Sequence, residues 1–398
     1  MLSEYEYLAT NRTESMFEED VQINIGLLRE SISKSRIAVI GAAGSVGFSM
    51  VKALLPFRPH GVALLDISEN NLVEVVRDLR SSVDIVIPEN FVTLPIAMGS
   101  HECSRFFAES KPFDYILNLS AIKHVRSEKD VYSLKRMIDT NVLFLNDFLE
   151  SLPYQVQKFF SVSSDKATNP ANLMGATKMA MEKMLLHSQK HPFSTARFAN
   201  VAFSDGSLPY GFLKRIEKKQ PISAPKDVKR YFISHKEAGQ ICLLSCILGE
   251  NGDIYFPNLK EDLDEKPFSR IAAALLEKLG YEPYECSSEQ EAKQKMEVLL
   301  PKKKWPCYFF ESDTTGEKDY EEFYSPGEVI DLGKYLRVGI IKQSPAKEGG
   351  KAVREFIRFA RQAALDPTVQ KTDYVRELKK VVPTLNHREL GKNLDQKM

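Results

Sequence analysis

The sequence predicts an α/β protein built on a doubly wound parallel sheet, followed by a smaller C-terminal α/β lobe. Two observations carry this. Short apolar runs alternate with segments of helical period from about residue 36 to 200, as expected where right-handed βαβ crossovers build a parallel sheet. A glycine-spaced turn follows the first apolar run, and an acid closes the second run about 20 residues later. The chain, at 398 residues, is longer than one hydrophobic core usually supports, so more than one lobe is expected. Residues 1–34 read as a helical lead-in, 35–200 as a dinucleotide-binding domain and 201–398 as a substrate-binding lobe with C-terminal helices.

Composition narrows the class. With 43% hydrophobic and 27% charged residues this is an ordinary globular chain. Lys plus Arg and Asp plus Glu are both 54, with no basic stripe, so no nucleic-acid partner is expected. No run of about 18 apolar residues occurs, and the acidic N-terminus lacks the pattern of a signal peptide. A soluble, cytoplasmic protein without membrane insertion is the expectation. Five scattered cysteines without a CxxC pair speak against a disulfide framework or a metal site, and Cys242 and Cys246 fit a buried helix.

Taken in order, a lead-in helix is predicted over 13–33, then a strand at 37–40. The turn Gly41-Ala42-Ala43-Gly44-Ser45-Val46-Gly47 lets backbone N–H groups reach a pyrophosphate at the start of the helix that follows. Asp66, after the strand 62–65, suits ribose hydroxyls and repels a 2′-phosphate, which favours NAD as cofactor, although Arg77 and Arg80 are near in sequence. A helix over 69–82, a strand over 92–97, a helix over 101–110 and a strand over 115–119 continue the alternation. A sustained helical period over 131–149 leads to a strand at 158–162. There Ser164, Asp165 and Lys166 stand at the carboxyl edge, where open α/β sheets bind ligands. Met174 and Lys178 follow one turn apart on the next helix, so they face the same way. A sixth strand is expected over 195–198. Beyond Asn200 the alternation is lost; helices near 212–219, 237–248, 268–279, 347–364 and 373–381 and strands near 305–310 and 336–341 are predicted there. Lys302-Lys303-Lys304 reads as a solvated loop.

The motifs together resemble a known family. They are the glycine turn, Ala121-Ile122-Lys123-His124-Val125, Thr140-Asn141-Val142, Ser163-Ser164-Asp165-Lys166-Ala167-Thr168-Asn169-Pro170, Met174-Gly175-Ala176-Thr177-Lys178, Arg197-Phe198-Ala199-Asn200-Val201 and Arg230-Tyr231-Phe232. They are similar to the extended short-chain dehydrogenase/reductase superfamily, and within it to the nucleotide-sugar 4,6-dehydratases of polysaccharide biosynthesis, which usually act on UDP-N-acetylglucosamine. The resemblance covers roughly residues 36–260. It implies a Rossmann fold, NAD bound by Gly41, Gly44, Ser45, Val46, Gly47, Asp66, Ala121 and Lys178, and a UDP-sugar met by Lys123, Met174, Asn200 and Arg230. It also implies catalysis by Ser164, Asp165, Lys166 and Lys178, and a homo-oligomer. Asp165, held protonated by burial, would serve as acid at the sugar's C6 hydroxyl, and Lys166, with a lowered pKa, as base at C5.

Two departures stand out. Gly99-Ser100 occupies the place where the family usually has Gly-Asp near the adenine. Met174 occupies the place of the superfamily's catalytic tyrosine, and a thioether transfers no proton. In the resemblance, methionine marks the dehydratase branch that retains configuration at C5. A nucleotide-sugar 4-epimerase, or a silent dinucleotide-binding scaffold, stays open at this point. Taken alone, Asp165-Lys166 is also consistent with a strand-end salt bridge, and His124 reads as a packing residue.

Overall fold

The structure is a computed structural model that describes residues 3–188, 190–259, 265–312, 321–343 and 349–387. Six parallel strands form the heart of one sheet: β1 (Arg36–Ile40), β2 (Gly61–Leu65), β3 (Asn90–Leu94), β4 (Tyr115–Asn118), β5 (Lys158–Val162) and β6 (Phe193–Ala196). Their order is 3-2-1-4-5-6, which puts the reversal of strand order between β1 and β4. Ligands bind at such a reversal, outside the carboxyl ends of the strands. β2, β4, β5 and β6 are buried along their whole length, as expected of strands with helices covering both faces, and the polar Asn118, Ser161 and Ser194 within them are hydrogen-bonded. β3 closes one edge and alternates exposed with half-buried residues.

The connecting helices fall on two faces and seal two cores. One packs Met50, Val51 and Leu54 of the helix Ser45–Leu54 against Ile241 and Leu244 of the helix His235–Leu248. These two helices touch closely, since a Cβ on Gly239 would lie 2.2 Å from the carbonyl oxygen of Ser49. The other core joins Phe107, Ile138, Phe148 and Met181 with Phe356 and Leu378. The last two come from the C-terminal helices Gly349–Ala363 and Lys371–Val381, which fold back on the helix Leu173–Ser188. The expected start of the first of them at Lys347 lies outside the described residues.

Beyond Asn200 the chain does not stay in a second lobe. After β7 (Asn200–Val201), β8 (Ile222–Pro225) and β9 (Lys229–Ile233), it returns through the helix His235–Leu248, where Cys242 and Cys246 are buried. The strand β10 (Asp253–Pro257) then pairs in parallel with β6. Following β11 (Glu265–Pro267), β12 (Glu282–Glu285) and β13 (Lys304–Phe310), β14 (Val329–Asp331) and β15 (Val338–Lys342) add antiparallel strands beyond β10. The main sheet therefore has nine strands, and the reading that alternation ends at residue 200 is corrected. The physical reason is that pairing of β10 with β6 is a contact across inserted chain, which local periodicity does not register. Two three-stranded sheets, β7-β9-β11 and β8-β13-β12, make the smaller part, around Trp305, Phe212, Leu275 and Leu276. Lys304 belongs to β13 rather than to a loop. A helix at Glu289–Leu299, absent from the sequence reading, is capped by Ser288 accepting from the Glu291 N–H.

The lead-in helix is also corrected. The span 13–33 holds two short helices, Glu18–Ile23 and Ile25–Ser33, separated at Asn24, and an unpredicted helix, Glu4–Thr10, precedes them and ends at Asn11 in the left-handed region. They form a brace. Arg12 donates to the Glu237 carboxylate at 2.8 and 3.0 Å, and Asp20 accepts from the Leu336 and Arg337 N–H groups ahead of β15.

A second brace lies under the carboxyl end of β6. Arg197, with no exposed surface, donates to Glu182 at 2.9 and 2.7 Å, to Glu328 at 3.2 Å through two nitrogens, and to the Phe323 carbonyl at 3.0 Å. Burial opposes its charge, but the two carboxylates outweigh that and hold the guanidinium above its ordinary value. Replacing it strands the buried Glu182 and the half-buried Glu328. Arg197→Met should therefore cost about 3–5 kcal/mol of stability, to be read by urea denaturation, and a loss below about 1 kcal/mol would show the network to be dispensable.

Candidate active site

The glycine turn is built for close approach. Gly41 has φ +78°, and a Cβ there would stand 2.5 Å from the Ser120 nitrogen; one on Gly47 would stand 1.9 Å from the Gly41 carbonyl oxygen. These two glycines let β1, the turn and the helix pack. Gly44 differs, because a Cβ there would meet nothing nearer than the Gly41 oxygen at 3.7 Å. Gly44 also stands immediately ahead of the helix Ser45–Leu54, whose free N–H groups and dipole favour an anion. Ser45 is tied down, donating to Asp205 Oδ2 at 3.0 Å and accepting from the Asp205 N–H at 2.9 Å.

Asp66 follows β2 and braces this turn. Its Oδ2 accepts from the Ala43 N–H and its Oδ1 from the Ser68 N–H, each at 2.9 Å. A carboxylate has about four acceptor positions, so two lone pairs remain for a diol. Arg77 pairs with Glu74 on the surface. Ser100 caps the helix His101–Glu109 by accepting from Cys103, and Gly99 at φ +85° has Phe144 against it, so this departure from the family pattern serves local structure. Gly41, Gly44, Ser45, Gly47 and Asp66 thus present the features a dinucleotide needs.

Ala121 and Lys123 lie on the loop after β4. Asn141 holds that loop, with its amide exchanging two hydrogen bonds of 3.0 Å with Ile122 and donating a third to Thr177. It sits in a π-turn at Asp139–Leu143, the kind of bulge often found at functional sites. Lys123 Nζ is 3.4 Å from Ser204 Oγ, and burial lowers its pKa against the pull of Asp205. His124 is pushed down to about 4 by burial and by the charges of Lys123 and Arg126, and it packs on Gly206. It is neutral at physiological pH.

At the end of β5 the chain turns sharply and brings three functional groups together. Ser164 Oγ donates to Asp165 Oδ1 at 2.7 Å, and Lys166 Nζ lies 3.1 and 3.2 Å from the two carboxylate oxygens. The helix Leu173–Ser188 can close on this turn because Gly175 has no side chain; a Cβ there would stand 2.0 Å from the Lys166 carbonyl oxygen. Lys178 is 3% exposed and donates to the Val162 carbonyl at 3.0 Å. Burial lowers its pKa to about 8 against Glu182. Met174 is 2% exposed and belongs to the apolar core with Leu173 and Ala176.

Protonation differs from the sequence expectation. Burial pushes the Asp165 carboxyl up, but the charge of Lys166 and the hydrogen bond from Ser164 outweigh it, and the group stays ionised. Burial likewise opposes charge on Lys166, yet Asp165 and Glu321 hold its pKa above that of ordinary lysine. The pair thus rests as carboxylate and ammonium, the reverse of an acid and an amine base.

Asn200 and Arg230 converge on a residue the sequence reading missed. Glu321, its side chain 3% exposed, accepts from Asn200 Nδ2 at 2.6 Å and from the Tyr231 N–H at 2.9 Å. Its Oε1 lies 3.5 Å from Arg230 Nε and 3.7 Å from Lys166 Nζ. No spacing rule points to it, since it is more than 150 residues from Lys166 in the chain.

Comparison with known proteins places the chain. Residues 37–304 match the family model described as polysaccharide biosynthesis protein, and the chain belongs to that family. An uncharacterized membrane protein of Methanocaldococcus jannaschii is 28% identical over 305 residues, 74% of this chain and 82% of that one. The capsular polysaccharide biosynthesis protein CapD of Staphylococcus aureus is 29% identical over 60% of this chain, which spans only 40% of that longer protein. An inverting UDP-N-acetylglucosamine 4,6-dehydratase of Campylobacter jejuni is 26% identical, covering 57% of this chain and 68% of its own. Among solved structures, Pen from Bacillus thuringiensis superposes with a TM-score of 0.63 at 21% identity, over 79% of this chain and 89% of its own, which supports the fold. No helix among the described residues is long and apolar enough to cross a membrane.

The three glycines separate in a binding experiment. Gly44→Val should leave a folded protein with NAD affinity reduced by more than about tenfold, because the new side chain occupies the pyrophosphate's approach. Gly47→Ala should instead lower stability. Isothermal titration with NAD beside a thermal melt reads both, and unchanged affinity in folded Gly44→Val would remove the turn from the cofactor site.

Proposed function

We propose that this protein is an NAD-dependent nucleotide-sugar 4,6-dehydratase that converts UDP-N-acetylglucosamine to its 4-keto-6-deoxy derivative. The observation that carries this reading is the hydrogen-bonded series Ser164, Asp165 and Lys166 at the carboxyl end of β5, beside buried Lys178. The Campylobacter jejuni relative, named for the inverting form of this dehydration, supports the 4,6-dehydration and not its stereochemistry. The turn Gly41 to Gly47 with Asp66 would hold the cofactor, and Lys178 its nicotinamide ribose. Bound there, NAD supplies a reversible hydride acceptor.

The side chains divide the proton work. Oxidation at the sugar's C4 releases the proton of its hydroxyl, and Met174 has no group to take it. Ser164 takes it while passing its own proton across 2.7 Å to Asp165. An ionised Asp165 is what this step needs, and the step leaves it a carboxylic acid. Asp165 then gives that proton to the departing C6 hydroxyl. Lys166, whose chief anionic partner is now neutral, becomes easier to deprotonate and serves as base at C5. A 4-epimerase needs no acid and base at C5 and C6, so the pair favours dehydration over the activity for which a Rickettsia bellii relative, 25% identical over 76% of this chain, is named.

Incubation with UDP-N-acetylglucosamine and mass spectrometry decides between them: loss of one water is expected, and an isomer of unchanged mass would overturn the proposal. Asp165→Asn and Lys166→Met should bind the nucleotide sugar and lose turnover by about 10²-fold or more. Met174→Leu should fold at a cost below about 1.5 kcal/mol and keep most activity. The product should retain its C5 configuration, read from the H4–H5 NMR coupling after reduction of the ketone; inversion would remove methionine as the mark of a retaining enzyme.

A further inference from the structure

We propose that Glu321 is the proton acceptor for Lys166, acting through that lysine rather than on the sugar. The inference rests on the dehydratase reading for the use it gives the proton. Lys166 is an ammonium in the free protein, and a base at C5 must first be an amine, so its proton needs a destination. Asp165 cannot be that destination, since by then it carries the C4 proton. Among the described residues, the remaining carboxylate within ion-pair distance is Glu321, 3.7 Å from Nζ.

Its surroundings suit the task. The charged groups facing it are Asp165 and Lys166 from the turn after β5 and Arg230 from β9, and its neutral donors are Asn200 on β7 and the Tyr231 N–H. Burial, and then the charge of Asp165, raise its carboxyl to about 8 against Lys166 and Arg230. A carboxyl of that strength accepts a proton from lysine far more readily than an ordinary one. The segment that carries it is anchored by Arg197 to Glu328 and to the Phe323 carbonyl, so the carboxyl is held in place.

The protons balance. One N–H bond of Lys166 breaks and an O–H bond forms on Glu321. The freed amine takes the C5 proton; the C5–H electron pair becomes the C5–C6 double bond as the C6–O bond breaks, and the proton on Asp165 leaves with that oxygen as water. When the hydride removed from C4 has returned to C6 and Lys166 has reprotonated C5, Glu321 returns its proton to the amine, and the site is as it began.

Glu321 has to start ionised, so turnover should climb as pH rises through its titration, at about 8 in the free protein. Glu321→Gln keeps shape and hydrogen-bond capacity and removes the acceptor. The full-chain variant, assayed with UDP-N-acetylglucosamine, should lose about 10²-fold in kcat with little change in KM. Its rising limb should vanish, and near-ultraviolet absorbance of the reduced cofactor should build up, because oxidation at C4 precedes the blocked step. Glu321→Asp should restore part of the limb. Wild-type kcat in Glu321→Gln, or a lower kcat with the limb intact, would overturn the proposal.

A second measurement is independent of turnover. A carboxyl with a raised folded pKa binds an extra proton on folding, so its contribution to stability is present at about pH 4 and lost as pH rises towards about 8. Urea denaturation across that range should show this decline in the wild type and not in Glu321→Gln. Absence of the difference would overturn the acceptor itself. A wild type that turns over no nucleotide sugar, with the stability difference intact, would overturn the dehydratase reading and with it the use assigned to the proton.

Discussion

Burying charge without a partner costs several kcal/mol, and this constraint organises the protein beneath its ligand edge. Two sets of charges meet it side by side. Arg197 answers Glu182 and Glu328 with a fork of donors, and Asp165, Lys166, Glu321 and Arg230 answer one another. The first set locks the segment after residue 321 to the end of β6. The second set depends on that lock, because without it Glu321 would not reach Lys166. The two sets share no carboxylate, and they are joined through the chain segment that carries both Glu321 and Glu328.

Backbone contact supplies the other constraint. Gly47 on Gly41, Gly175 on Lys166 and Gly239 on Ser49 each place a helix against main chain at a distance no side chain allows. The contact at Gly175 brings helix Leu173–Ser188, with Lys178, onto the turn bearing Asp165 and Lys166. Gly44 has no such packing duty, which is why it is the glycine whose open side a ligand can use.

In the proposed reaction, the turn after β5 does the proton work that Met174 has no group to do. Met174 fills apolar core, while the 2.7 Å contact between Ser164 and Asp165 offers a path for a hydroxyl proton. A carboxylate that is ionised before the first step and protonated after it can act as base and then as acid. Burial with a lysine partner makes both states reachable.

Local signals in the sequence determined the alternation from β1 to β6, the glycine turn with Asp66, and the adjacency of Ser164, Asp165 and Lys166, because each depends on neighbours within a few residues or on one helical turn. Methionine at 174 was equally plain. The tertiary structure alone decided that β10, β14 and β15 rejoin the main sheet, since strand pairing across inserted chain leaves no periodic trace. It also decided charge: Asp165 is ionised and Lys166 protonated because of which groups surround them, and a sequence does not reveal those surroundings. Glu321 is the clearest case. Its place beside Asn200, Arg230 and Lys166 is produced by folding over about 90 to 155 residues of intervening chain, and burial among those groups is what turns an ordinary glutamate into a weak acid.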